Sequence, residues 1–122
     1  MAETEKLVII STTGIDNAEK ATLPFVVATA ALTVDVEVVL ILQSAAVMLA
    51  KKGMADHVNA PGFMSMKNLL QNFLDLGGKV MLCSPCVKDR NIAPEDFIEG
   101  AQLVAAGSVV EEVMSAKSVL TY

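Results

Sequence analysis

Charged side chains are scarce in this chain of 122 residues, and cysteine, histidine and aromatic residues are scarcer still. Charged residues make up 19% of the sequence, against an ordinary ~25%. Its nine basic residues form no cluster and the net charge is −5, so we expect no nucleic-acid partner. Hydrophobic residues reach 53%, which leaves too little charge to cover the surface. We therefore expect an apolar patch buried between subunits of a homo-oligomer.

Long apolar runs are also missing from the sequence. The longest uncharged runs, residues 21–34 and 38–50, fall short of the ~20 apolar residues that a membrane span needs. The chain starts MAETEK, without the charged and then apolar pattern of a secretory leader. Two cysteines are too few for a disulfide scaffold. These features predict a cytoplasmic protein with reduced thiols and no membrane span.

Apolar runs alternate with helix signals along the chain, in the rhythm of repeated β-α units. Asp16, with Glu19 three residues later, is the expected N-cap of the first helix, and Ser65 that of a later one. A helix opening at residues 107–108 is expected to turn Glu112 to water. We predict strands at residues 7–10, 36–42, 80–82, 101–104 and 117–122, helices at 18–32, 45–52 and 67–76, a loop at 54–66 and a short helix from Pro94. The prediction is a single α/β domain, residues 1–122, with a mostly parallel five-stranded sheet in three α/β/α layers.

Both cysteines lie in the sequence CSPC at residues 83–86, where a predicted strand gives way to a helix. Ser84 is the predicted N-cap and Pro85 the first helical residue. A sulfur facing a helix amino terminus, with Lys88 and Arg90 nearby, is expected to have a pKa lowered from the usual ~8.5 and to be nucleophilic at neutral pH. The alternative is that both are ordinary core cysteines, because free cysteine is often buried.

Three other polar residues are candidates for binding a substrate. Ser11 and Thr12 follow the first strand, at the edge where open α/β sheets bind ligands, but their loop lacks the glycine spacing of a nucleotide site. His57 is the only histidine and titrates near neutrality, although loop packing is the more ordinary role for such a residue. One distant histidine and two cysteines are too few for a closed zinc site, so we expect no metal and no cofactor.

Three segments carry a resemblance to a known family: GGKVMLC at residues 77–83, FIEGAQLVAAG at 97–107 and SAKSVLTY at 115–122. They resemble the DsrE/DsrF-like sulfur-relay family, whose small α/β/α domains assemble into dimers, trimers or larger rings. The resemblance implies that Cys83 accepts sulfur as a persulfide and passes it between donor and acceptor proteins. Cys86 departs from the best-known relay subunits, so it either resolves the persulfide or is a bystander.

Three functions therefore remain open from the sequence. The first is a sulfur carrier or sulfurtransferase, and the second is a thiol–disulfide redox protein with a thioredoxin-type motif, which the order of strands distinguishes. The third is a non-enzymatic oligomeric binding protein with inert cysteines, which alkylation of Cys83 distinguishes. The predicted site has Cys83 and Cys86 as catalytic residues, and the residues predicted to bind substrate are Ser11, Thr12, His57, Ser84, Lys88 and Arg90.

Overall fold

Five parallel strands form one sheet in this computed structural model, which describes residues 4–122. In chain order the strands are β1 (Lys6–Ser11), β2 (Glu37–Leu42), β3 (Lys79–Cys83), β4 (Ala101–Val104) and β5 (Ser118–Thr121). The order across the sheet is β4-β3-β2-β1-β5, and each neighbouring pair is parallel. The predicted α/β fold is confirmed. The expectation of no secretory leader rests partly on residues 1–3, and these lie outside the described residues.

Four α-helices and three 3-10 helices connect the strands. The α-helices are α1 (Ala18–Thr33), α2 (Met66–Asp75), α3 (Ser84–Asp89) and α4 (Ala106–Ser115), and the 3-10 helices are Ser44–Ala50, Met54–His57 and Pro94–Asp96. The α-helix predicted at residues 45–52 is thus a 3-10 helix, a form that proteins use for short connections, and the predicted loop at 54–66 begins with another. No helix within residues 4–122 is long and apolar enough to cross a bilayer.

Helix α1 begins at Ala18, as predicted, but its N-cap lies one residue later than the predicted Asp16. Its N-cap is Asn17, whose Oδ1 accepts a hydrogen bond from the backbone N–H of Lys20 at 3.1 Å. The Oδ1 of Asp16, the predicted cap, instead accepts from the N–H of Gly14 at 2.9 Å, and so closes the turn before the helix. The prediction for α2 is confirmed, because the Ser65 hydroxyl accepts from the N–H of Asn68.

The two faces of the sheet are covered unequally. Helices α1, α2 and α3, with the 3-10 helices, cover one face, which we call the thick face, and bury the large core that includes Ile9, Phe25, Leu40 and Phe73. Helix α4 covers the other, which we call the α4 face. The core there is small and consists of Val8, Val39, Ile41, Met81 and Val104, with Val109 and Val113 of α4 packed against it.

An ion pair fastens α4 to the sheet. Lys6 lies in β1, two residues before Val8, so its side chain lies on the α4 face, where its Nζ is 2.8 Å from Oε2 of Glu112. The same Nζ donates to the hydroxyl of Ser115. The prediction that Glu112 faces water is therefore wrong, because α4 lies across the sheet and turns this carboxylate towards Lys6.

Candidate functional site

Strand β3 and helix α3 join without a loop and place two thiols at the carboxyl edge of the sheet. Cys83 is both the last residue of β3 and the N-cap of α3, so that Ser84 and Pro85 are the first helical residues. The prediction of Ser84 as the N-cap is therefore wrong by one residue. Proline fits either position, because the first N–H groups of a helix have no intrahelical partner. Cys86 follows one turn later, three residues from Cys83.

The two sulfurs are in direct contact. Both cysteines are free and half-buried, and their Sγ atoms lie 2.7 Å apart, compared with ~2.05 Å in a disulfide bond. The contact has the geometry of a hydrogen bond in which the Cys86 thiol donates to the Cys83 sulfur. The backbone N–H of Ser44 in turn donates to the Cys86 sulfur at 3.2 Å. Ser44 adopts a left-handed conformation with φ of 53°.

The pKa of Cys83 is raised, not lowered as the sequence predicts. Burial is the main cause, because it disfavours the charged thiolate, and the hydrogen bond and charge of Cys86 act in the same direction. The backbone N–H of Cys86 and the positive charge of Arg90 oppose these effects without overcoming them. At neutral pH Cys83 is mainly a thiol, with a small nucleophilic thiolate fraction.

Of the two basic residues predicted near the thiols, only Arg90 contacts this segment. It is the C-cap of α3, and its Nη1 donates to the carbonyl oxygen of Cys86 at 3.2 Å. Lys88 is exposed on the surface of α3. The site therefore has one nearby positive charge, held close to Cys86 by a hydrogen bond to the backbone.

Ser11, Thr12 and His57 are not gathered around the cysteines. Ser11 ends β1, which β2 separates from β3, and its fully buried hydroxyl has no hydrogen-bond partner among residues 4–122. The Thr12 hydroxyl donates to the carbonyl oxygen of Tyr122 at 3.0 Å, beside β5. His57 is exposed in its 3-10 helix. Their role in binding substrate stays a prediction.

A cavity of about 250 Å³ opens beside Cys83, and sequence reasoning missed most of its lining. It is lined by Gln43, Cys83, Pro85, Val104, Ala105, Ala106, Val109 and Val110. The ends of parallel neighbours meet at one edge of a sheet, so the residues after β2 and β4 lie beside the end of β3. Val104 is the register partner of Cys83. Because the carboxyl ends of parallel neighbours meet at one edge, the sequence could have placed Gln43 and Ala105 beside Cys83.

Three other cavities, lined by residues within 4–122, contain neither thiol. A second cavity of about 470 Å³ has a mixed lining of lysines, carboxylates and apolar residues around Lys51, Asp56 and Lys67, and contains neither thiol. Within residues 4–122, no three histidine, cysteine, aspartate or glutamate residues are grouped as metal ligands. The thiol pair and the cavity beside it therefore form the candidate site.

Comparisons with known proteins agree with this architecture. The profile of the DsrE/DsrF-like family matches residues 5–122. Two proteins of Methanocaldococcus jannaschii are similar in sequence. Uncharacterized protein MJ0760 is 33% identical over 84% of this chain, and uncharacterized protein MJ0989 is 32% identical over 96% of it. The chain spans 37% of the length of MJ0760 and 99% of MJ0989. The crystal structure of the YchN protein from E. coli superposes with a TM-score of 0.83 and 23% identity, over 98% of this chain and 100% of that one.

Proposed function

We propose, from the premise that this chain belongs to the DsrE/DsrF-like family, that it is a sulfur carrier which holds a sulfur atom as a persulfide on Cys83. The observation that carries the proposal is the contact of two free thiols, 2.7 Å apart, at the carboxyl edge of a parallel sheet. Catalytic groups of open α/β folds lie at this edge. Cys83 has a cavity beside it, and the Cys86 sulfur contacts the Cys83 sulfur.

Loading is a thiol exchange that needs no net oxidant. The Cys83 thiolate attacks the outer sulfur of a donor persulfide, R–S–SH, and forms a new S–S bond. The S–S bond of the donor breaks, and R–S⁻ leaves and takes up a proton. Because the thiolate is the attacking species, the raised pKa of Cys83 limits the rate near neutral pH.

Unloading has two routes, which give Cys86 its proposed role. An acceptor thiolate can attack the outer sulfur of the Cys83 persulfide, take that sulfur and leave the Cys83 thiolate. Alternatively, the Cys86 thiolate attacks the inner sulfur, forms a Cys83–Cys86 disulfide and expels hydrosulfide, after which a thiol reductant must restore both thiols. The contact between the sulfurs supports the second route when no acceptor is bound.

The setting of this activity is also part of the proposal. We place the carrier in a reducing cytoplasm, where both cysteines persist as thiols, with sulfur donor and acceptor proteins as partners. Large apolar side chains are exposed on α4 and β5, among them Val110, Met114, Val119 and Leu120. Surfaces of this kind support a homo-oligomer, because they are usually buried by another subunit.

A thiol–disulfide redox protein is the second candidate. The contact between Cys83 and Cys86 favours it, since a disulfide needs little movement from a separation of 2.7 Å. The fold argues the other way. Thioredoxin-like chains place the motif after an early strand and continue into an antiparallel hairpin, whereas here the motif follows the third of five parallel strands.

Intact-mass spectrometry of the reduced protein, after exposure to inorganic polysulfide, tests the proposed function. We expect a gain of one sulfur mass that reductant reverses. Cys83→Ser should abolish the gain. Cys86→Ser should retain it and prolong its lifetime, because the route that expels hydrosulfide is lost.

Three outcomes would contradict the proposal in different ways. Equal loading of both variants would remove the assignment to Cys83. Loss of two hydrogens without any gain of sulfur would favour the redox candidate. An unchanged mass, together with slow alkylation of Cys83 in the folded protein, would favour a binding protein with inert cysteines.

A further inference from the structure

We infer that Ser44 is a positioning residue for the route that forms the Cys83–Cys86 disulfide, because its backbone N–H holds the Cys86 sulfur against Cys83. The inference deepens the proposed function and rests on it for the place of this route in unloading. Three observations carry it: a hydrogen bond between segments distant in the chain, the backbone conformation of the donor residue, and the contacts that fix the turn around it.

One backbone donor connects the turn after β2 to the two sulfurs. The N–H of Ser44 donates to the Cys86 sulfur at 3.2 Å, and the Cys86 thiol donates to the Cys83 sulfur at 2.7 Å. Both cysteines pack against the core of the thick face. A cysteine side chain can occupy several staggered rotamers, and a partner outside its own helix favours the one that keeps the sulfur in place. The Ser44 N–H therefore keeps the Cys86 sulfur in contact with the sulfur that it attacks.

The donor residue has an uncommon backbone conformation. Ser44 is exposed, and its φ of 53° lies in the left-handed region. This region is sterically unfavourable for a residue with a Cβ, so the conformation persists only where the surrounding structure holds it. A change of φ rotates the N–H relative to the rest of the turn. A side chain that is not tolerated in this region should therefore turn the N–H away from the Cys86 sulfur.

The turn that carries Ser44 is fixed by β1 and by the loop that follows it. The N–H of Gln43 donates to the carbonyl oxygen of Ser11, the last residue of β1, at 2.9 Å. The carbonyl group of Ala45 lies against Gly14, where an added Cβ would overlap its oxygen. Helix α3 packs against the 3-10 helix that begins at Ser44. These contacts hold the Ser44 N–H in its place beside α3.

Position matters here because the resolving step takes place within one molecule. The Cys86 thiolate attacks the inner sulfur of the Cys83 persulfide, the bond to the outer sulfur breaks, and hydrosulfide leaves with the electron pair of that bond. Such an attack is fast when the reacting atoms are held in contact, and it slows by up to about 10²-fold when they are displaced by ~1 Å. The Ser44 N–H therefore sets how quickly a persulfide is resolved when no acceptor takes the sulfur.

The test uses two exposed left-handed residues, one on either side of β2. Valine is disfavoured in this region, so Ser44→Val should displace the donor from Cys86. Asp35→Val makes the same change at φ of 63°, in the turn before β2 and at the opposite edge of the sheet from the thiols. Both parent side chains are exposed, so both variants should fold with similar losses of stability. Ser44→Gly is the conservative variant, because glycine tolerates the region and keeps the N–H.

The lifetime of the persulfide is the first measurement. Reduced full-length chains are loaded with inorganic polysulfide, freed of excess reagent and followed by intact-mass spectrometry. Ser44→Val should lengthen the lifetime about tenfold, whereas Ser44→Gly and Asp35→Val should keep the parent rate. In chains that also carry Cys86→Ser, Ser44→Val should have no effect, because the sulfur that it positions is absent. An equal effect with and without Cys86, or an equal effect of Asp35→Val, would overturn the inference.

Closure of the disulfide without any persulfide is the second measurement. With dithiobis(nitrobenzoate), one protein thiolate attacks a reagent sulfur, forms a mixed disulfide and releases thionitrobenzoate. The other thiolate then attacks the protein sulfur of that mixed disulfide, forms the Cys83–Cys86 bond and releases a second thionitrobenzoate. The rate of the second release, divided by that of the first, corrects for changes in thiol ionisation. Ser44→Val should lower this ratio about tenfold, and Ser44→Gly and Asp35→Val should not.

The two measurements separate this inference from the proposed function. Persulfide loading with an unchanged closure ratio in Ser44→Val would overturn the inference and leave the proposed function standing. A lowered closure ratio in chains that take up no sulfur from polysulfide would refute the proposed function and retain the positioning role of Ser44 in disulfide closure. An unchanged ratio without any loading would refute both.

Discussion

The thick face and the α4 face of the sheet share the same strands but are built very differently. On the thick face, side chains of β1, β2 and β3 pack against α1, α2 and the 3-10 helices and are almost completely buried. On the α4 face, one ten-residue helix with no fully buried side chain crosses the sheet, and the cavity at Cys83 remains open beside it. The comparison indicates that the thick face supplies most of the stability, while the thinly covered face leaves a cavity open beside Cys83.

The thick face should be sensitive to loss of volume. Phe73 of α2 is fully buried and makes an edge-to-face contact with Phe25 of α1, with ring centroids 6.5 Å apart. Phe73→Ala removes this contact and leaves a cavity, so we expect the free energy of unfolding to fall by about 3–5 kcal/mol in urea titrations.

Two valines provide a control of matched chemistry for that prediction. Val47→Ala, in the fully buried core of the thick face, should cost about 2 kcal/mol. Val113→Ala, on half-buried α4, should cost about 1 kcal/mol or less. Equal losses from the two valines would show that the faces do not differ in their contribution to stability.

Added volume should distinguish the same two regions. A Cβ at Gly14 would lie 2.2 Å from the carbonyl oxygen of Ala45, a backbone atom of the buried 3-10 helix, so Gly14→Ala should cost about 1–3 kcal/mol. A Cβ at Gly107 in α4 meets nothing within 4 Å, and Gly107→Ala should stabilise by up to about 1 kcal/mol through helix propensity. Thermal unfolding of both variants measures this difference in sign, and destabilisation by both would contradict it.

The attachment of α4 to the sheet should make a smaller contribution. The side chains of Lys6 and Glu112 are 15% and 23% exposed, so water screens the pair in part, and we expect Glu112→Gln to cost about 1 kcal/mol. The pair of Lys117 with Glu5, 3.2 Å apart and about 60% exposed, is the control, and Glu5→Gln should cost about half as much or less. High salt should diminish both effects in urea titrations. A larger loss for Glu5→Gln would refute the role assigned to Lys6.

The sequence predicts the fold and the position of Cys83 because both depend on local patterns. Branched apolar runs identify β1 and β2, and the glycines before β3 and the proline after it fix where that strand ends. The sign of the Cys83 pKa shift could not be obtained in this way, because it depends on burial by residues distant in the chain. The N–H of Ser44, which bonds to a sulfur 42 residues later, is a product of the same packing.

The ionisation of Cys83, at the edge where the thick face and the α4 face meet, provides the smallest and most specific test of how the two faces differ. Burial raises the pKa of this thiol, so its alkylation by iodoacetamide should increase with pH and level off only above the ordinary ~8.5 of a free cysteine. Cys86→Ala removes two of the other causes that raise the pKa and should move the midpoint to lower pH, while burial keeps it from falling below the ordinary value.

Replacing the cation should move the same midpoint in the other direction. In the Cys86→Ala chain, Arg90→Gln removes the positive charge that favours the thiolate, so the midpoint of the alkylation profile should rise by a fraction of a pH unit. Lys88→Gln is the control, because Lys88 is exposed and the pKa of Cys83 does not respond to it. A midpoint below that of a free cysteine in either chain would mean that the helix amino terminus, and not burial between the two faces, governs the reactivity of Cys83.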